Sequence, residues 1–330
     1  MPWEYQKVAL PFRIGFISLG NAMLEGVIQK GHFSTFSTTF SKHPPRELLD
    51  DSDAQAAFIP SCPLSTDQRS ISRVDGCIRY IPGRYPHYYV DTNLDFDQYL
   101  SRHVSRRSRK SLRRLVRKFD KESDGAIDFR LYRSEEEARE FVAEASKLAQ
   151  HTYQVRWLKK ALPTGAETQV EAKAGSFSGY ILFLKNKPVA FLWCRLRNGI
   201  LEHRFGGYEP DLAKLGPGTV LDYLALQSAL ADDCITTIDL SEGDGPHKKR
   251  FATHKQYCGD IYYLKSSLKH AGLVWSHFLF IRIYDKLRRL LDATRIKPRI
   301  RRSLRKHVRG MPAKPDEPWA GSEDRFERPL

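Results

Sequence analysis

Two glycines flank a proline at Gly216-Pro217-Gly218, directly before residues 219–231, whose apolar spacing predicts a helix. The start of a helix presents backbone N–H groups without partners in the helix, and glycine lets another molecule approach them closely. Lys214 places a cation just before this turn, and Thr219 places a hydroxyl in the first turn of the helix. These residue types in this order predict binding of a phosphate or a pyrophosphate. Glycine and proline also mark ordinary strand-to-helix turns, so the neighbouring elements decide how the motif is interpreted.

Strand-like segments surround this turn. Three runs rich in Ile, Leu, Phe, Val and Tyr precede it, at residues 178–185, 188–197 and 200–206. Asn198-Gly199 favours a two-residue hairpin between the last two runs, because both residues tolerate a positive φ. A further strand is expected at residues 235–240, and it leads into a segment of glycines and cations at residues 243–250. The predicted order is an antiparallel meander, a glycine-rich turn, a helix and a strand.

The charge of the chain is strongly positive, with 54 Lys and Arg against 39 Asp and Glu, a formal net charge of +15. Two clusters hold most of the excess. Residues 102–118 carry nine cations and no acid, and residues 282–309 carry twelve cations against Asp285 and Asp292. Positive charge in such clusters usually meets phosphate, so the expected partners are a nucleotide cofactor, a nucleic acid or an anionic membrane.

Cysteine usage and hydropathy bear on the compartment. Five cysteines, an odd number without a C-x-x-C pair, favour a reduced, cytosolic setting. We find neither a secretory signal nor an apolar run that approaches the length of a membrane span, so we expect a soluble, cytoplasmic protein. No His, Cys and carboxylate residues have ligand-like spacing, and no G-x-S-x-G elbow occurs. The sequence therefore predicts no metal site and disfavours a serine hydrolase.

The remaining elements mix helices and strands. One helix is expected over residues 96–121, and its cations are interpreted either as a solvated face or as a face toward an anion. A long connection is expected at residues 151–175. The other predicted elements are strands at 14–19, 56–59, 77–81, 88–90, 126–132 and 258–265, and helices at 21–29, 134–150 and 155–161.

Residues 268–292 predict a C-terminal helix with two interpretations. Its aromatic residues Trp275, Phe278, Phe280 and Tyr284 could lie at a membrane interface, with the cations toward anionic lipid. The favoured alternative is a helix packed on the protein and followed by a solvated basic tail, because a helix that is apolar on most sides is usually buried. Residues 311–330 are polar and Pro-rich, so we expect a disordered tail.

A linked series of motifs resembles the GNAT acyltransferase superfamily, and within it the BioF2-like branch related to FemAB-type transferases. The series comprises RRSRKSLRRLVRKFD at 106–120, Gly206-Gly207-Tyr208, Leu215-Gly216-Pro217-Gly218-Thr219, and Asp239 followed by Gly243-Asp244 and Lys248-Lys249-Arg250-Phe251. The resemblance implies an α/β (α+β) fold, a mixed, largely antiparallel twisted sheet flanked by helices. It also implies a degenerate first GNAT-like half at 1–95, a GNAT-like domain at 96–267, a basic helical extension at 268–310 and a tail at 311–330.

The same resemblance implies acyl-coenzyme A, such as acetyl-CoA, as the donor, and direct attack of an amine or hydroxyl on its thioester. Such a reaction needs a base and donors for the developing oxyanion. The implied catalytic residues are Glu202, His203, Asp239, Lys248 and Tyr208, with the choice of base left open among the first three. The implied cofactor-binding residues are Phe205, Gly206, Gly207, Lys214, Gly216, Gly218, Thr219, Lys249 and Arg250.

Three functions stay open on the sequence. The first is an acyltransferase acting on a cell-envelope saccharide or its precursor, with peripheral contact of residues 268–309 to an anionic membrane. The second is a FemAB-like transferase that uses aminoacyl-tRNA. The third is a non-catalytic, basic module that binds nucleic acid or a membrane surface. Salt separates these functions, because phosphate contacts to nucleic acid weaken steeply with ionic strength.

Overall fold

The structure, a computed structural model, describes residues 3–14, 17–29, 49, 53–149 and 162–293. The described chain forms two compact units, one made of residues up to Pro86 and from Gln256 onward, the other of His87–Lys255. The elements are, in order, β1 (Trp3–Ile14), β2 (Ile17–Gln29), β3 (Ala56–Pro63), β4 (Ile71–Val74), β5 (Cys77–Tyr80), β6 (Tyr85–Asp91), α1 (Phe96–His103), α2 (Arg106–Glu122), β7 (Asp128–Tyr132), α3 (Glu135–Ala149), α4 (Gly165–Lys173), β8 (Phe177–Leu184), β9 (Lys187–Arg197), β10 (Ile200–Tyr208), a 3-10 helix (Pro210–Leu215), α5 (Pro217–Leu230), β11 (Thr237–Glu242), α6 (Pro246–Phe251), β12 (His254–Lys265) and α7 (Leu268–Ala293).

The unit of residues 87–255 contains the predicted meander. Strands β7, β8, β9 and β10 pair antiparallel in sequence order, and β10 then pairs in parallel with β11. Strand β6 completes this part of the sheet by pairing antiparallel with β11. The parallel pair is possible because α5 carries the chain back between β10 and β11, as a parallel connection requires.

Alternating side chains of this sheet build a core on each of its faces. Tyr180 and Leu182 of β8 belong to a core shared with α1, α2 and α5. Ile181 and Phe183 of the same strand belong to a second core shared with α3. The period of two along β8 therefore buries it on both faces, which explains why the strand is apolar without interruption.

The other unit consists of strands β1 to β5 and β12 with one long helix. Strands β1 and β2 pair antiparallel, β2 and β3 pair in parallel, and β12 pairs with β3 and β5. Val274 of α7 is buried in a core with Val8, Leu24 and Tyr80. His277 of α7 joins Tyr80 by a 2.7 Å hydrogen bond between Nδ1 and the phenol oxygen.

The predicted fold class is confirmed, because the described chain is a mixed, largely antiparallel sheet flanked by helices. The helix predicted at residues 21–29 is wrong, since this segment is strand β2. Ala22, Leu24 and Ile28 alternate along the strand into the core of their unit. Strand β1 pairs with β2 along its length and satisfies the extended backbone, a partner that local helical spacing does not reveal.

The single helix predicted over residues 96–121 is also wrong, because the chain breaks between α1 and α2. Val104 is extended, with φ −106° and ψ 124°, and Ser105 caps α2 by accepting from the backbone N–H of Ser108 at 3.2 Å. Arg109 then reaches back and donates to the carbonyl oxygens of Leu100 at 2.9 Å and Val104 at 3.0 Å. One predicted surface cation is therefore used to end α1.

Other segments either differ from the structure predicted from the sequence or lie outside the described residues. Part of the connection expected at 151–175 is helix α4, whose start has a reciprocal capping box between Thr164 and Glu167. The cations expected on a loop at 248–250 belong to the short helix α6. The helix predicted at 155–161 and the tail predicted at 311–330 lie outside the described residues.

Candidate functional site

The parallel strands β10 and β11 stay paired for only three residues. Their register runs from Ile200 opposite Thr237 to Glu202 opposite Asp239. Strand β10 continues to Tyr208 and β11 to Glu242, and within the described chain they do not pair again. The turn into α5 follows the carboxyl end of β10, so the helix begins at the same edge. A crevice outside the carboxyl ends of diverging parallel strands is a common ligand site in α/β folds.

Both strands are irregular where they part. The register of β10 with β9 shifts between His203 and Phe205, and that of β11 with β6 shifts between Asp239 and Glu242. Ser241 takes the left-handed conformation, with φ +68°, which is uncommon for a residue with a side chain. Irregularities of this kind turn a strand out of its sheet, and they are frequent next to active sites. The gap between β10 and β11 is thus built into the backbone.

Two buried side chains hold Ser241 in this conformation. The Asp239 carboxylate accepts from the Ser241 backbone N–H at 2.6 Å. Lys248, only 2% exposed, donates from Nζ to the Ser241 hydroxyl at 2.9 Å and also to the backbone carbonyl of Glu242. Burial lowers the pKa of Lys248 to about 8, although the carboxylates of Glu242, Asp239 and Asp244 act in the opposite direction. Lys248 therefore links α6 to the diverging end of β11.

Asp239 has a second partner that the sequence did not indicate. His87 of β6 meets the Asp239 carboxylate at 2.7 Å through Nε2, and both side chains are 5% exposed. The imidazole and the carboxylate are separated by 152 residues in the chain. No local spacing could have linked them, because only the pairing of β6 with β11 brings them together.

His203 of β10 is the candidate base with the clearest shift of its pKa. Burial lowers the pKa of the imidazole to about 4, the Asp239 carboxylate raises it, and the Lys248 ammonium lowers it. His203 is therefore neutral at pH 7. Burial also lowers the pKa of His247 on α6, with further lowering from Lys248 and His203. These three basic side chains surround the end of β11 with one full positive charge at most.

Glu202 stands at the last paired position of β10. Its carboxylate lies 3.8 Å from Arg204 and keeps 17% of its side-chain surface exposed. It is therefore less deeply buried than Asp239, whose residue is 5% exposed. Glu202 and Asp239 face each other at the last paired position of the two strands, and His203 follows Glu202 in β10; which of the three acts as the base stays a prediction.

The turn into α5 has the geometry of an anion site. Gly216 is left-handed, with φ +61° and ψ 45°, and no described side chain caps the helix. Its N–H donates to Ala213, and the Val220 N–H donates back to Gly216. Pro217 has no N–H, so the N–H groups of Gly218 and Thr219 are the donors at this end, where the helix dipole favours negative charge.

The basic helix α2 packs directly on this turn. A Cβ on Gly216 would lie 2.8 Å from a methyl carbon of Leu115, so only glycine fits there without displacement. Lys118 donates from Nζ to the backbone carbonyl of Lys214 at 3.1 Å. The exposed cations of α2 are Arg106, Arg107, Lys110, Arg113, Arg114, Arg117, Lys118 and Lys121. This arrangement places positive charge beside the donors of α5.

The later cations have protein partners of their own. Lys249 is exposed and forms a 2.5 Å ion pair with Asp244. Arg250 is half-buried, and its charge acts on Asp222 of α5. Asp222 is 5% exposed, and its Oδ2 has no hydrogen-bond partner among the described residues. Burial raises the pKa of Asp222 to about 8, against the opposing effect of Arg250. Sequence reasoning missed this aspartate, because it stands within an apolar helical pattern.

The remaining candidates lie further along β10. Phe205, Gly206, Gly207 and Tyr208 pair with β9 at Trp193, Leu192, Phe191 and Ala190. The Phe205 ring packs edge-on against Trp193 at 6.1 Å, so its side chain belongs to the core rather than to the crevice. Only the backbone of Phe205 remains as a ligand group. The described residues hold no cluster of three or more potential metal ligands.

Comparisons with known proteins found one family model and several solved structures. Residues 106–249 match the family model described as an acetyltransferase (GNAT) domain. No curated protein sequence matches the chain. Among solved structures the chain is similar to FemX, at 12% identity with a TM-score of 0.48, covering 79% of this chain and 88% of FemX. It is also similar to L-PGS from Bacillus licheniformis, at 13% identity with a TM-score of 0.44, covering 82% and 88%.

Proposed function

We propose that this chain, whose residues 106–249 match the model of a GNAT acetyltransferase domain, transfers an acyl group from acyl-coenzyme A to an amine or a hydroxyl. One observation carries the proposal. Two parallel strands part after Glu202 and Asp239, beside a helix whose N-terminus has glycines and no side-chain cap. A crevice of this form can take an extended thioester arm between the strands and a pyrophosphate at the helix.

The chain's own groups fit the anionic part of the donor. The N–H groups of Gly218 and Thr219 would donate to the pyrophosphate, and Lys214 would add charge at the edge of the turn. Lys118 stands beside Lys214 and strengthens the positive field. We assign Lys249 and Arg250 to more distant phosphates, with Lys249 leaving its present partner Asp244 to do so.

The proposed chemistry needs a base, oxyanion donors and an acid. Glu202 would accept the proton from the attacking nitrogen or oxygen, because its carboxylate is partly exposed and stands where β10 and β11 part. Backbone N–H groups within residues 205–207 would donate to the carbonyl oxygen as it gains charge. Tyr208 would donate its proton to the departing sulfur. His203, the alternative base, is neutral at pH 7 but weak, because burial has lowered its pKa.

Lys248 and Asp239 take a positioning role in this proposal. Both hold Ser241 in its left-handed conformation, and the Nζ of Lys248 is already engaged by the Ser241 hydroxyl and the Glu242 carbonyl. They would therefore keep the end of β11 away from β10. The acceptor that we propose, a cell-envelope saccharide or its precursor, rests on the resemblance of the motifs to the BioF2-like branch.

A second candidate donor is aminoacyl-tRNA. The observation that favours it is the outer face of α2, where eight exposed cations lie beside the α5 turn. Contacts between this face and RNA phosphates would weaken steeply as salt increases. Acyl-coenzyme A held by backbone donors in a crevice would depend on salt much less, so one titration series distinguishes the two donors.

The experiment is calorimetric titration of acetyl-coenzyme A into three proteins at low and at moderate salt. They are the wild type, Gly218→Val, and the matched control Gly165→Val. Gly165 begins α4, but there the Thr164 side chain caps the helix and the glycine faces open space. We expect wild-type and control binding to agree at both salt concentrations, and Gly218→Val to lose at least tenfold in affinity (roughly 1.4 kcal/mol). Equal binding by all three proteins, or none by the folded wild type, contradicts the proposal.

A further inference from the structure

Helix α7 packs on its unit through one face. His270, Val274, His277 and Ile281 are buried along it at spacings of four, three and four residues. His277 also joins the core through Tyr80 and through its Nε2 contact with the Pro11 carbonyl at 3.0 Å. This buried face is the inner side that an ordinary amphipathic helix packs against its protein.

The opposite face of α7 is apolar as well. Trp275 is 59% exposed, and Leu279, Ile283, Leu287 and Leu290 are each at least 50% exposed. Their spacing of four, four, four and three residues places them in one stripe along the helix. A polar outer face is the rule for a surface helix, so a continuous apolar stripe indicates a surface made for contact. Of the aromatic residues that the sequence placed at a membrane interface, Phe278 packs against the core instead, while Trp275 is exposed.

Cations border this stripe. Arg282, Lys286 and Arg289 are exposed, and Asp285 is the sole acid between residues 275 and 290. The guanidinium of Arg282 stacks over the Phe278 ring at 5.0 Å, which holds it at the edge of the stripe. The sequence after α7 continues the same charge, with eight cations and no acid in residues 294–309.

We propose that this outer face of α7 docks the protein on the surface of an anionic lipid bilayer. The apolar stripe would enter the boundary between headgroups and acyl chains, while the bordering cations meet lipid phosphates. Charge decides against a second copy of the chain, because the same cations would border the stripe on both partners. It also decides against residues 294–309, which carry the same sign. Because the inner face of α7 is packed on its unit, the helix would lie along the bilayer surface with its outer face toward the lipid.

This docking surface goes beyond the proposed transferase activity and does not rest on it. The test is co-sedimentation of the full chain with vesicles of phosphatidylcholine alone or mixed with phosphatidylglycerol. The variants are Leu279→Glu in the stripe, Lys286→Gln with Arg289→Gln at its border, and the control Val170→Glu. Val170 is an apolar residue of α4 with 69% exposure, so it matches the substitution but lies away from α7.

We expect the wild type and Val170→Glu to bind mixed vesicles equally and to bind phosphatidylcholine weakly. Leu279→Glu should weaken partition by at least about tenfold, because a charge replaces a leucine that enters the lipid. The double neutralisation should weaken partition into mixed vesicles by about 30-fold, at roughly fivefold per cation. Circular dichroism would verify that each variant is folded.

Three results would overturn the proposal. One is a wild type that does not bind mixed vesicles. Another is binding that survives Leu279→Glu unchanged, since the basic segment after α7 would then carry it alone. The third is a wild-type dimer in sedimentation velocity that Leu279→Glu dissociates without affecting vesicle binding, since a second copy would then cover the stripe.

Discussion

Asp222 provides a prediction whose size follows from its surroundings. It stands on α5, 5% exposed, with no hydrogen-bond partner for Oδ2 among the described residues. Burial raises its pKa from 3.8 to about 8. A group whose pKa is raised by folding stabilises the fold fully below the unfolded pKa, and that contribution is lost as pH rises toward the folded pKa. The contribution of Asp222 to the stability of the wild type should therefore fall between pH 4 and pH 8.

The size of this loss of stability follows from the difference between the pKa values of Asp222 in the unfolded and folded states. At pH 7 the carboxyl is ionised in the unfolded chain and protonated in the folded one. Taking up this proton on folding lowers the free energy of unfolding by about 4 kcal/mol relative to low pH. Asp222→Asn has no ionisable carboxyl and therefore escapes this loss of stability at pH 7, with almost no change in the shape of the side chain. The new amide would bury N–H groups without partners, which costs about 1 kcal/mol. We expect the variant to be about 1 kcal/mol less stable than the wild type at pH 4 and about 3 kcal/mol more stable at pH 7.

The assay is urea denaturation followed by circular dichroism at several pH values from 4 to 8. The control is Asp233→Asn, an exposed aspartate beyond the end of α5, whose effect should stay within about 0.5 kcal/mol at every pH. The diagnostic result is a difference between variant and wild type that grows with pH and changes sign. A difference that is the same at pH 4 and pH 7 would refute the reasoning, because Asp222 would then be ionised to the same degree in both states.

Three further predictions concern the crevice and its helix. Gly216→Ala should lower the free energy of unfolding by about 1 to 2 kcal/mol in urea denaturation, because the left-handed backbone at this position disfavours a Cβ. Adding Leu115→Ala to this variant should recover the part of the loss that comes from the clash between the new Cβ and the Leu115 side chain. Glu202→Gln should reduce kcat by about 10² to 10⁴ with unchanged acetyl-coenzyme A affinity in thiol-release and calorimetric assays, and an unchanged kcat would assign the base elsewhere. His203 acts in the opposite direction to Asp222, because the unfolded imidazole binds a proton between about pH 4 and 6.5 that the folded one does not; the stability of the wild type relative to His203→Gln should therefore increase with pH over that range in thermal melts.

The parts of the fold that local pattern controls could be predicted. The meander, the turn at Gly216 and the helix after it follow from runs of apolar residues and from glycine and proline, and the family match at residues 106–249 agrees with them. The break between α1 and α2 escaped prediction, because it depends on Arg109 reaching back to carbonyls in the preceding helix. Strand β2 was misread as a helix, because its identity as a strand depends on pairing with β1.

The candidate site shows the same division. Glu202, His203 and Lys248 were named because the motifs around them resemble the GNAT superfamily and its FemAB-type relatives. His87 and Asp222 were missed, because their significance comes from burial and from partners far away in the sequence. The assigned roles of the site residues remain predictions. For Lys248 we propose a positioning role, because its Nζ donates to the Ser241 hydroxyl and to the Glu242 carbonyl.

The central claim is that acyl-coenzyme A binds between β10 and β11 with its pyrophosphate on the first turn of α5. The most direct measurement is nuclear magnetic resonance of the isotope-labelled full chain during titration with acetyl-coenzyme A. The account predicts that the amide signals of Gly218 and Thr219 shift strongly and saturably, together with signals from Phe205 to Gly207. Saturable binding that leaves the Gly218 and Thr219 amides unmoved, or no binding at all, would contradict it.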